Sequence, residues 1–370
     1  MNLEAGGRFD DSSLCQAELF DMKILIVKIS ALGDVAHALP AALYLRRACP
    51  QARIDWLVDE AFAPLLEPLS WLDEIVPLNL RSLRRKKSLC ELTRLGRILR
   101  SLRETRYDMV FDLQGNCKSG FFSRITGAPR RFGFSRADVR EWPNLLMNNH
   151  RVVLPSGCRY AVERNLAVAR AAFPGFEPPG LAGCLVPSEQ ALHGIDERLR
   201  NVEGSLVVCH TGTTWRTKLW SQERWQELLT LLEPHCTLFL TWGNAEERKM
   251  AEALCARGER RRLWPGGTLG ELMALLARAD LVVGCDTGPI QIAAALGTAT
   301  LALFFASDVS RTGARGPRIV NMQAPVDCSP CLRRECPLGQ QEERPCVRAL
   351  TVEAVFAEAK RLLEDGGSKG

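Results

Sequence analysis

Four polar clusters, each directly after an apolar run, carry most of the side chains that could do chemistry in this chain. Short apolar runs rich in β-branched residues predict strands, so each cluster lies where a strand ends. Loops at strand ends are common places for binding and catalytic groups. The clusters are the segments 30–37, 210–220, 242–248 and 285–289.

The first cluster, SALGDVAH from Ser30 to His37, joins a tight turn to an acid. Gly33 permits the turn, and Asp34 then lies at or near the start of a helix. A carboxylate there could take a proton from a hydroxyl nucleophile. The alternative is that Asp34 only caps the helix. Position alone slightly favours the cap, because Asp is a common capping residue.

The second cluster, HTGTTWRTKLW from His210 to Trp220, places a glycine, several hydroxyls and two cations between a buried strand and a helix. Hydroxyls and backbone amides donate to phosphate oxygens, and Lys218 would neutralise their charge. The alternative is a polar surface loop. We favour a diphosphate site, because loops at strand ends carry function.

The other two clusters are less specific. In CDTGP, from Cys285 to Pro289, free amides at a helix start would face an anion, although an ordinary strand-to-helix turn has the same appearance. Glu246 and Glu247 follow a strand and could hold ribose hydroxyls. The same two residues could instead only complement the helix dipole.

Several functions are excluded or disfavoured by the sequence. No G-x-G-x-x-G follows a strand, which argues against a dinucleotide-dependent dehydrogenase. The segment Gly115–Gly120 lacks the Lys-Ser/Thr ending of a P-loop. The formal net charge of +5 is too small to predict nucleic-acid binding. The most apolar stretch, 281–306, is broken by Asp286 and by glycines, so we expect no membrane span.

The elements that must position these clusters form two strand-helix arrays, separated by a Pro-, Gly- and Arg-rich middle from Ala128 to about Pro187. Alternating strands and helices predict parallel sheets, and ligands of such sheets bind at the carboxyl ends of the strands. The sequence therefore predicts an α/β protein of two doubly wound domains facing a cleft. The expected divisions are a disordered extension at 1–22, domains at 23–190 and 191–350, and a C-terminal helix and tail at 351–370 that pack across the hinge.

The N-terminal segment has no basic region and no apolar core, which predicts a cytoplasmic protein without a signal peptide. Translation could start at Met1 or at Met22. Ten of the fourteen cysteines are scattered, and the other four are spaced C-x2-C-x4-C-x9-C. Four thiolates could hold zinc, but reduced thiols in a packed loop or a disulfide are the simpler interpretations. The four are Cys328, Cys331, Cys336 and Cys346.

A predicted basic helix, roughly 83–105, supplies a candidate surface for an anionic partner. Ten Lys and Arg residues lie from Arg81 to Arg106, against Glu91 and Glu104, and Arg94, Arg97, Arg100 and Arg103 repeat every three residues. A phosphorylated lipid at an anionic membrane face would suit this charge. The alternative is an ordinary solvated helix face.

Together the clusters resemble glycosyltransferase family nine, the ADP-heptose:lipopolysaccharide heptosyltransferases. The resemblance covers about Lys23 to Leu363. It is carried by KILIVKISALGDVAHALPA, TGTTWRTKLWSQERWQELL, WGNAEER and CDTGPIQIAAALGTATLALF, and by the cysteine segment CSPCLRRECPLGQQEERPC.

The resemblance implies a GT-B fold, with the acceptor on the N-terminal domain and the sugar nucleotide on the C-terminal one. It implies inverting transfer of heptose from ADP-heptose to Kdo or heptose of the lipopolysaccharide inner core. No metal or other cofactor is required, and the enzyme would act at the cytoplasmic face of the inner membrane. The implied catalytic residues are Asp34 as the base and Lys218 at the diphosphate.

The donor-side residues that the resemblance implies are Thr213, Thr214 and Lys218, Glu246 or Glu247 for the ribose, the turn of Asp286, Thr287 and Gly288, and Gln291. Gln291 stands where the family usually has His, so this chain has an uncharged amide in place of that imidazole. On the acceptor side we assign Ser30, Gly33, His37, Arg94 and Arg97. Two alternatives remain open: a GT-B transferase with another sugar nucleotide or acceptor, and a non-catalytic binding homologue.

Overall fold

The structure, a computed structural model, describes residues 21–80, 89–340 and 344–366. The chain folds around two six-stranded sheets in which all strands are parallel. Their strand orders are β3-β2-β1-β4-β5-β6 and β12-β11-β10-β7-β8-β9. This is the predicted α/β architecture of two doubly wound halves. Residues 1–20 of the expected extension and residues 81–88 of the basic segment lie outside the described residues.

The first sheet is built from short strands, and those at its centre are buried. Its strands are β1 Lys23–Val27, β2 Arg53–Asp59, β3 Glu74–Leu78, β4 Met109–Asp112, β5 Arg130–Phe134 and β6 His150–Val152. Its helices are α1 Leu32–Ala36, α2 Leu39–Ala48, α3 Leu89–Glu104, α4 Cys117–Ile125 and α5 Ala161–Arg170. Short 3-10 helices lie at Glu60–Leu65 and Trp142–Leu146.

The second sheet repeats this plan. Its strands are β7 Ser205–His210, β8 Cys236–Thr241, β9 Arg261–Leu263, β10 Leu281–Cys285, β11 Thr300–Phe304 and β12 Ile319–Gln323. Its helices are α6 Glu189–Leu199, α7 Gln222–Leu232, α8 Ala245–Cys255, α9 Leu269–Arg278, α10 Gly288–Leu296, α11 Val309–Thr312, α12 Pro345–Ala349 and α13 Val352–Gly366. A 3-10 turn lies at Arg216–Lys218.

The middle of the chain is more regular than its composition indicates. It contributes β5 and β6, which complete the first sheet, and α5, which packs on α2. These strands have only five and three residues, and β6 lies at the edge of the sheet, so they carry a weak sequence pattern. Buried amides join the segment to the sheet instead, as when Asn148 donates to Asp112 at 3.0 Å.

The two halves meet through helices that follow their central strands. Helix α1 packs on α10, and Gly288 lies directly against Leu32. A Cβ at position 288 would come within 2.7 Å of Leu32 Cδ2, so glycine is required there. The contact brings the carboxyl end of the first sheet against the carboxyl end of the second.

The C-terminal helix α13 packs on α7, β10 and β11, so its described packing is on the second half. Its buried residues, including Val355 and Leu362, belong to the core of that sheet. The domain boundaries and a crossing of the hinge by this segment stay predictions. Among the helices that the structure describes, none is long and apolar enough to cross a membrane.

Candidate active site

A cleft with a volume of about 990 Å³ opens beside the carboxyl ends of β7 and β8. Three segments line it. They are the threonine-rich loop 212–219, the start of α8 with Asn244, Glu246, Glu247 and Met250, and the cysteine-rich segment with Arg334, Glu335, Cys336, Gly339, Gln340 and Arg344. The cleft therefore combines two of the predicted clusters with a third segment.

Asp34 is the third residue of α1 and is half-buried. Its Oδ2 accepts a hydrogen bond from the backbone N–H of Ala31 at 3.1 Å, so the carboxylate does stabilise the helix start. One bond of this kind fixes the orientation of the carboxylate without using its whole accepting capacity. Capping and proton transfer are therefore compatible at this position.

Lys28 lies beneath this turn and is 8% exposed. Its ammonium donates to the carbonyl of Leu113 at 2.6 Å. Burial lowers the pKa of Lys28, while the carboxylates of Asp34 and Asp112 act in the opposite direction. Sequence analysis did not single out Lys28, because a lysine in the apolar run KILIVKI gives no sign of which carboxylates face it.

His37 and Gln291 join the two halves. His37 Nε2 lies 2.9 Å from Gln291 Oε1, and the amide of Gln291 donates to the carbonyl of Thr312 at 2.7 Å. Since Oε1 is the acceptor, Nε2 of His37 carries the proton. Burial lowers the pKa of His37, which favours the neutral ring. The ring is only 2% exposed, so a contact between His37 and the acceptor sugar stays a prediction.

Replacing Gln291 with His is expected to slow transfer and lower stability. The Gln291 amide accepts from His37 and donates to Thr312 at the same time. An imidazole places its nitrogens at different positions, so one of these buried groups would be left unpaired. A lost buried hydrogen bond costs about 1–3 kcal/mol. Urea unfolding and steady-state transfer rates measure both effects. An increased transfer rate would contradict the expectation and indicate that Gln291 impairs the site.

Lys218 is held by a buried carboxylate. Its Nζ lies 2.6 Å from Asp286 Oδ2, with 18% and 6% of the two side chains exposed. The ammonium also lies 5.1 Å from the centre of the Trp215 ring, and Thr312 donates to the same Asp286 oxygen at 3.3 Å. The structure thus brings the second and the fourth strand-end clusters of the sequence, 210–220 and 285–289, into direct contact.

The two glutamates of α8 have different surroundings. Glu247 Oε2 accepts from the Gly243 amide at 2.7 Å, and its side chain covers Gly212 so closely that a Cβ there would displace the Glu247 carboxylate. Glu246 is exposed. Both line the cleft with Thr213 and Thr214.

The turn before α10 departs in one detail from the expected cap. Thr287 is at the N-cap position and Pro289 is in the first turn, residue types typical of these positions, but the Thr287 side chain makes no capping bond. Its Oγ1 is buried and finds no hydrogen-bond partner within the described parts of the chain. A buried hydroxyl without a partner is costly, so a ligand oxygen there would be favoured.

The cysteine-rich segment forms one wall of the cleft, which sequence analysis did not foresee. Arg344 is 3% exposed, and its guanidinium donates to the carbonyls of Arg216 at 3.1 Å and Leu219 at 2.6 Å. Thr217 donates to the Arg333 carbonyl at 2.6 Å, and Arg334 lies 5.2 Å from the Trp215 ring centre. The segment therefore holds the loop that carries Lys218. The pair of arginines between the cysteines was the available signal.

The four cysteines of this segment are free thiols. Over residues 21–80, 89–340 and 344–366, no group of three or more His, Cys, Asp or Glu side chains is placed to hold a metal ion. The zinc arrangement is thus not formed there. Burial raises the pKa of the Cys346 thiol, so this sulfur is a neutral, packed side chain.

His210, at the end of β7, is buried and lies 3.0 Å from the Thr241 hydroxyl through Nδ1. Burial lowers its pKa to about 4. The ring is therefore neutral at pH 7, which suits a packed side chain before the threonine-rich loop better than a contact with phosphate.

Acidification is expected to destabilise the protein through His210. Between about pH 6.5 and 4 the unfolded chain binds a proton that the native ring does not, so the free energy of unfolding falls as the pH falls, by up to about 3 kcal/mol. Urea unfolding at several pH values measures this slope. His210→Gln removes the titration and should flatten it. An identical slope in the two proteins would show that this ring does not titrate as stated.

On the acceptor side, the helix α3 retains part of the basic surface. Arg94 pairs with Glu60 at 2.9 Å, and Arg97 is exposed. Ser30 and Gly33 flank the Asp34 turn, and the amide of Ser30 donates to Gln114 at 3.1 Å. Arg81, Arg84, Arg85, Lys86 and Lys87 lie outside the described residues.

Two doubly wound sheets whose helices meet at the carboxyl ends of their central strands, with a charged cleft beside them, define the GT-B class of glycosyltransferases. A family model for glycosyltransferase family 9 (heptosyltransferase) matches residues 95–341. The chain belongs to this family.

Relatives and solved structures agree. Lipopolysaccharide heptosyltransferase 1 of Pseudomonas aeruginosa is 34% identical over 331 residues, which cover 87% of this chain and 89% of that protein. The same-named protein of Escherichia coli K12 is 28% identical, covering 82% and 94%. A structure of E. coli heptosyltransferase WaaC with ADP superposes with a TM-score of 0.74 at 26% identity, over 93% of this chain and all of that one.

Proposed function

We propose that this protein is an inverting heptosyltransferase that moves heptose from ADP-heptose to a sugar of the lipopolysaccharide inner core. The printed names of the relatives and the ADP-heptose analogue bound to WaaC supply the chemistry of donor and acceptor. One observation in this chain carries the proposal. The helix that bears Asp34 packs on the helix that begins at Gly288, next to the Lys218–Asp286 pair.

The chemical step needs a base and a held leaving group. Asp34 takes the proton from an acceptor hydroxyl as its oxygen attacks the anomeric carbon. The bond from that carbon to the ADP oxygen breaks on the opposite face, so the configuration inverts and ADP leaves as the diphosphate anion. Closure of the two halves supplies the alignment.

Negative charge that develops on the diphosphate is met by fixed donors. An ammonium group has three N–H donors, and Lys218 directs them to the Asp286 carboxylate at 2.6 Å and to the Asp286 carbonyl at 3.4 Å, which leaves a third donor for the ligand. Thr213 and Thr214 add hydroxyls, Thr287 adds its unpartnered hydroxyl, and the Gly288 amide lies at a helix start. Preorganised donors of this kind stabilise a leaving group without a metal ion.

The ribose is assigned to the two glutamates at the cleft. Glu247 is fixed by the Gly243 amide, and Glu246 is free to follow the ligand at the surface. Their carboxylates accept hydrogen bonds from ribose hydroxyls, as acidic residues after a strand do in nucleotide-binding folds.

Arg334 is expected to contribute to donor binding. It lines the cleft, exposed, with its guanidinium near the Trp215 ring, so Arg334→Ala should weaken ADP binding about tenfold. Calorimetric titration with ADP measures this. Arg333→Ala is the matched control, because Arg333 is the adjacent arginine, is also exposed and does not line the cleft. Equal losses in the two variants would remove Arg334 from the site.

The cellular setting is part of the proposal. The enzyme acts from the cytoplasm as a peripheral protein at the inner membrane, where an anionic, lipid-anchored acceptor is reached. Arg94 and Arg97 contribute positive charge on that side.

The test is a donor and acceptor screen with purified protein. ADP-heptose should raise the unfolding temperature more than other sugar nucleotides, and heptose should be transferred to deacylated inner-core acceptors ending in Kdo or in heptose. Stabilisation by a different sugar nucleotide would assign another GT-B transferase. Donor binding without transfer to either acceptor would assign a binding homologue.

A further inference from the structure

An apolar patch is exposed on the first half of the molecule. It consists of Phe121, Trp142 and Leu146, whose surfaces are 44%, 70% and 68% exposed. Trp142 and Leu146 are the first and last residues of the 3-10 helix that packs along α4, and Phe121 is on α4 itself. Large apolar side chains exposed on two elements that pack on each other form a candidate interaction surface.

The scaffold under the patch is tightly held. Asn144, fully buried between Trp142 and Leu146 in the chain, donates to Asp112 at 2.6 Å and to the Asn116 carbonyl at 2.8 Å. A Cβ on Gly120 would lie 2.8 Å from the Asn144 amide, so α4 and the 3-10 helix are in close contact. The exposure of Trp142 and Leu146 is thus a property of a fixed surface.

Positive charge surrounds the patch. Arg151 donates to the Leu145 carbonyl at 3.0 Å, directly at the 3-10 helix. Glu141, which precedes Trp142 in the chain, accepts from the Cys117 amide at 2.8 Å. Hydrogen bonds from Cys117 lower the pKa of Glu141, and the charges of Arg140 and Lys118 lower it further.

The patch adjoins the acceptor side of the site. The Gly115 carbonyl accepts from the amides of Arg140 and Glu141, both at 3.1 Å. The preceding residue, Gln114, accepts from the Ser30 amide at 3.1 Å. One hydrogen-bonded loop therefore connects the patch to the turn that carries Asp34.

We propose that this apolar patch docks the protein on an anionic lipid bilayer. Trp142 and Leu146 enter the headgroup region, and Lys118, Arg140 and Arg151 face lipid phosphates. Tryptophan favours the membrane interface, because one part of its ring system is apolar and its N–H can stay hydrated. Each cation adds attraction to an anionic surface. The inference rests on the proposed function, since a lipid-anchored acceptor has to be reached at the bilayer surface.

Co-sedimentation with vesicles of phosphatidylglycerol and phosphatidylcholine tests the docking. The wild-type protein should bind, and the double variant Trp142→Ser, Leu146→Ser should bind about tenfold more weakly or worse. The control is Val186→Ser, Leu231→Ser, which removes two apolar side chains, 51% and 40% exposed, that are not part of the patch. It should bind as wild type does. Equal vesicle binding by wild type and the Trp142, Leu146 variant overturns the proposal.

Two further measurements separate this proposal from the function on which it rests. Transfer to a deacylated, soluble acceptor should be the same in wild type and the Trp142, Leu146 variant, while transfer to acceptor embedded in vesicles should fall. Absence of transfer to any acceptor contradicts the proposed function and leaves the vesicle result standing. A wild-type dimer that this variant converts to monomers, without vesicle binding, would assign the patch to a second copy and overturn docking.

Discussion

Asp34→Asn should leave a folded protein that binds ADP normally and transfers almost no heptose. Asparagine keeps an oxygen that accepts from the Ala31 amide, so the start of α1 is preserved. It cannot take a proton from an acceptor hydroxyl. Loss of a general base costs about 10²–10⁴-fold in rate, and we expect a loss in that range.

Asp34→Ala is the companion that separates the two roles of the carboxylate. It removes the base and also the hydrogen bond to Ala31, so it should lose the same activity and, in addition, about 1 kcal/mol of stability. Single-turnover transfer rates and urea unfolding measure the two quantities. If Asp34→Asn retains near-normal turnover, Asp34 only caps the helix and another group accepts the proton.

Lys218→Met should weaken donor binding and slow transfer together, by roughly 10²–10³-fold in transfer efficiency. Methionine fills a similar volume without charge, so the diphosphate loses a cation. Asp286, only 6% exposed at its side chain, loses its ion-pair partner as well. Removing one member of a buried pair is destabilising, so the unfolding temperature should also fall.

Two controls make this result specific. Lys249→Met removes an exposed lysine on α8 and should change neither binding nor transfer. The double variant Lys218→Met, Asp286→Asn should recover stability, because no unpaired charge is left, but it should not recover transfer. An unchanged ADP dissociation constant in Lys218→Met, measured by calorimetry, would remove Lys218 from the diphosphate site.

Local pattern in the sequence determined the class of fold and the places where function concentrates. Buried strands such as KILIV and LVVGC are continuous apolar runs, and Thr268 and Glu271, at capping-box spacing in the sequence, form a capping box. Such signals involve residues close together in the chain, so they can be recognised without knowledge of the fold. They located the Asp34 turn, the threonine-rich loop and the DTG turn, and the family followed from their order.

Only the tertiary structure decided which of these residues meet. Lys218 and Asp286 are 68 positions apart, and His37 and Gln291 are 254 apart. Arg344 holds the loop of Lys218 from more than 120 positions away, although sequence analysis considered its segment only for its cysteines. No periodicity encodes such pairs, because they depend on how two sheets are stacked and on which loops their strand ends bring together. The identities of single residues determine which chemistry the cleft can perform, and the packing between the halves determines how those residues are arranged.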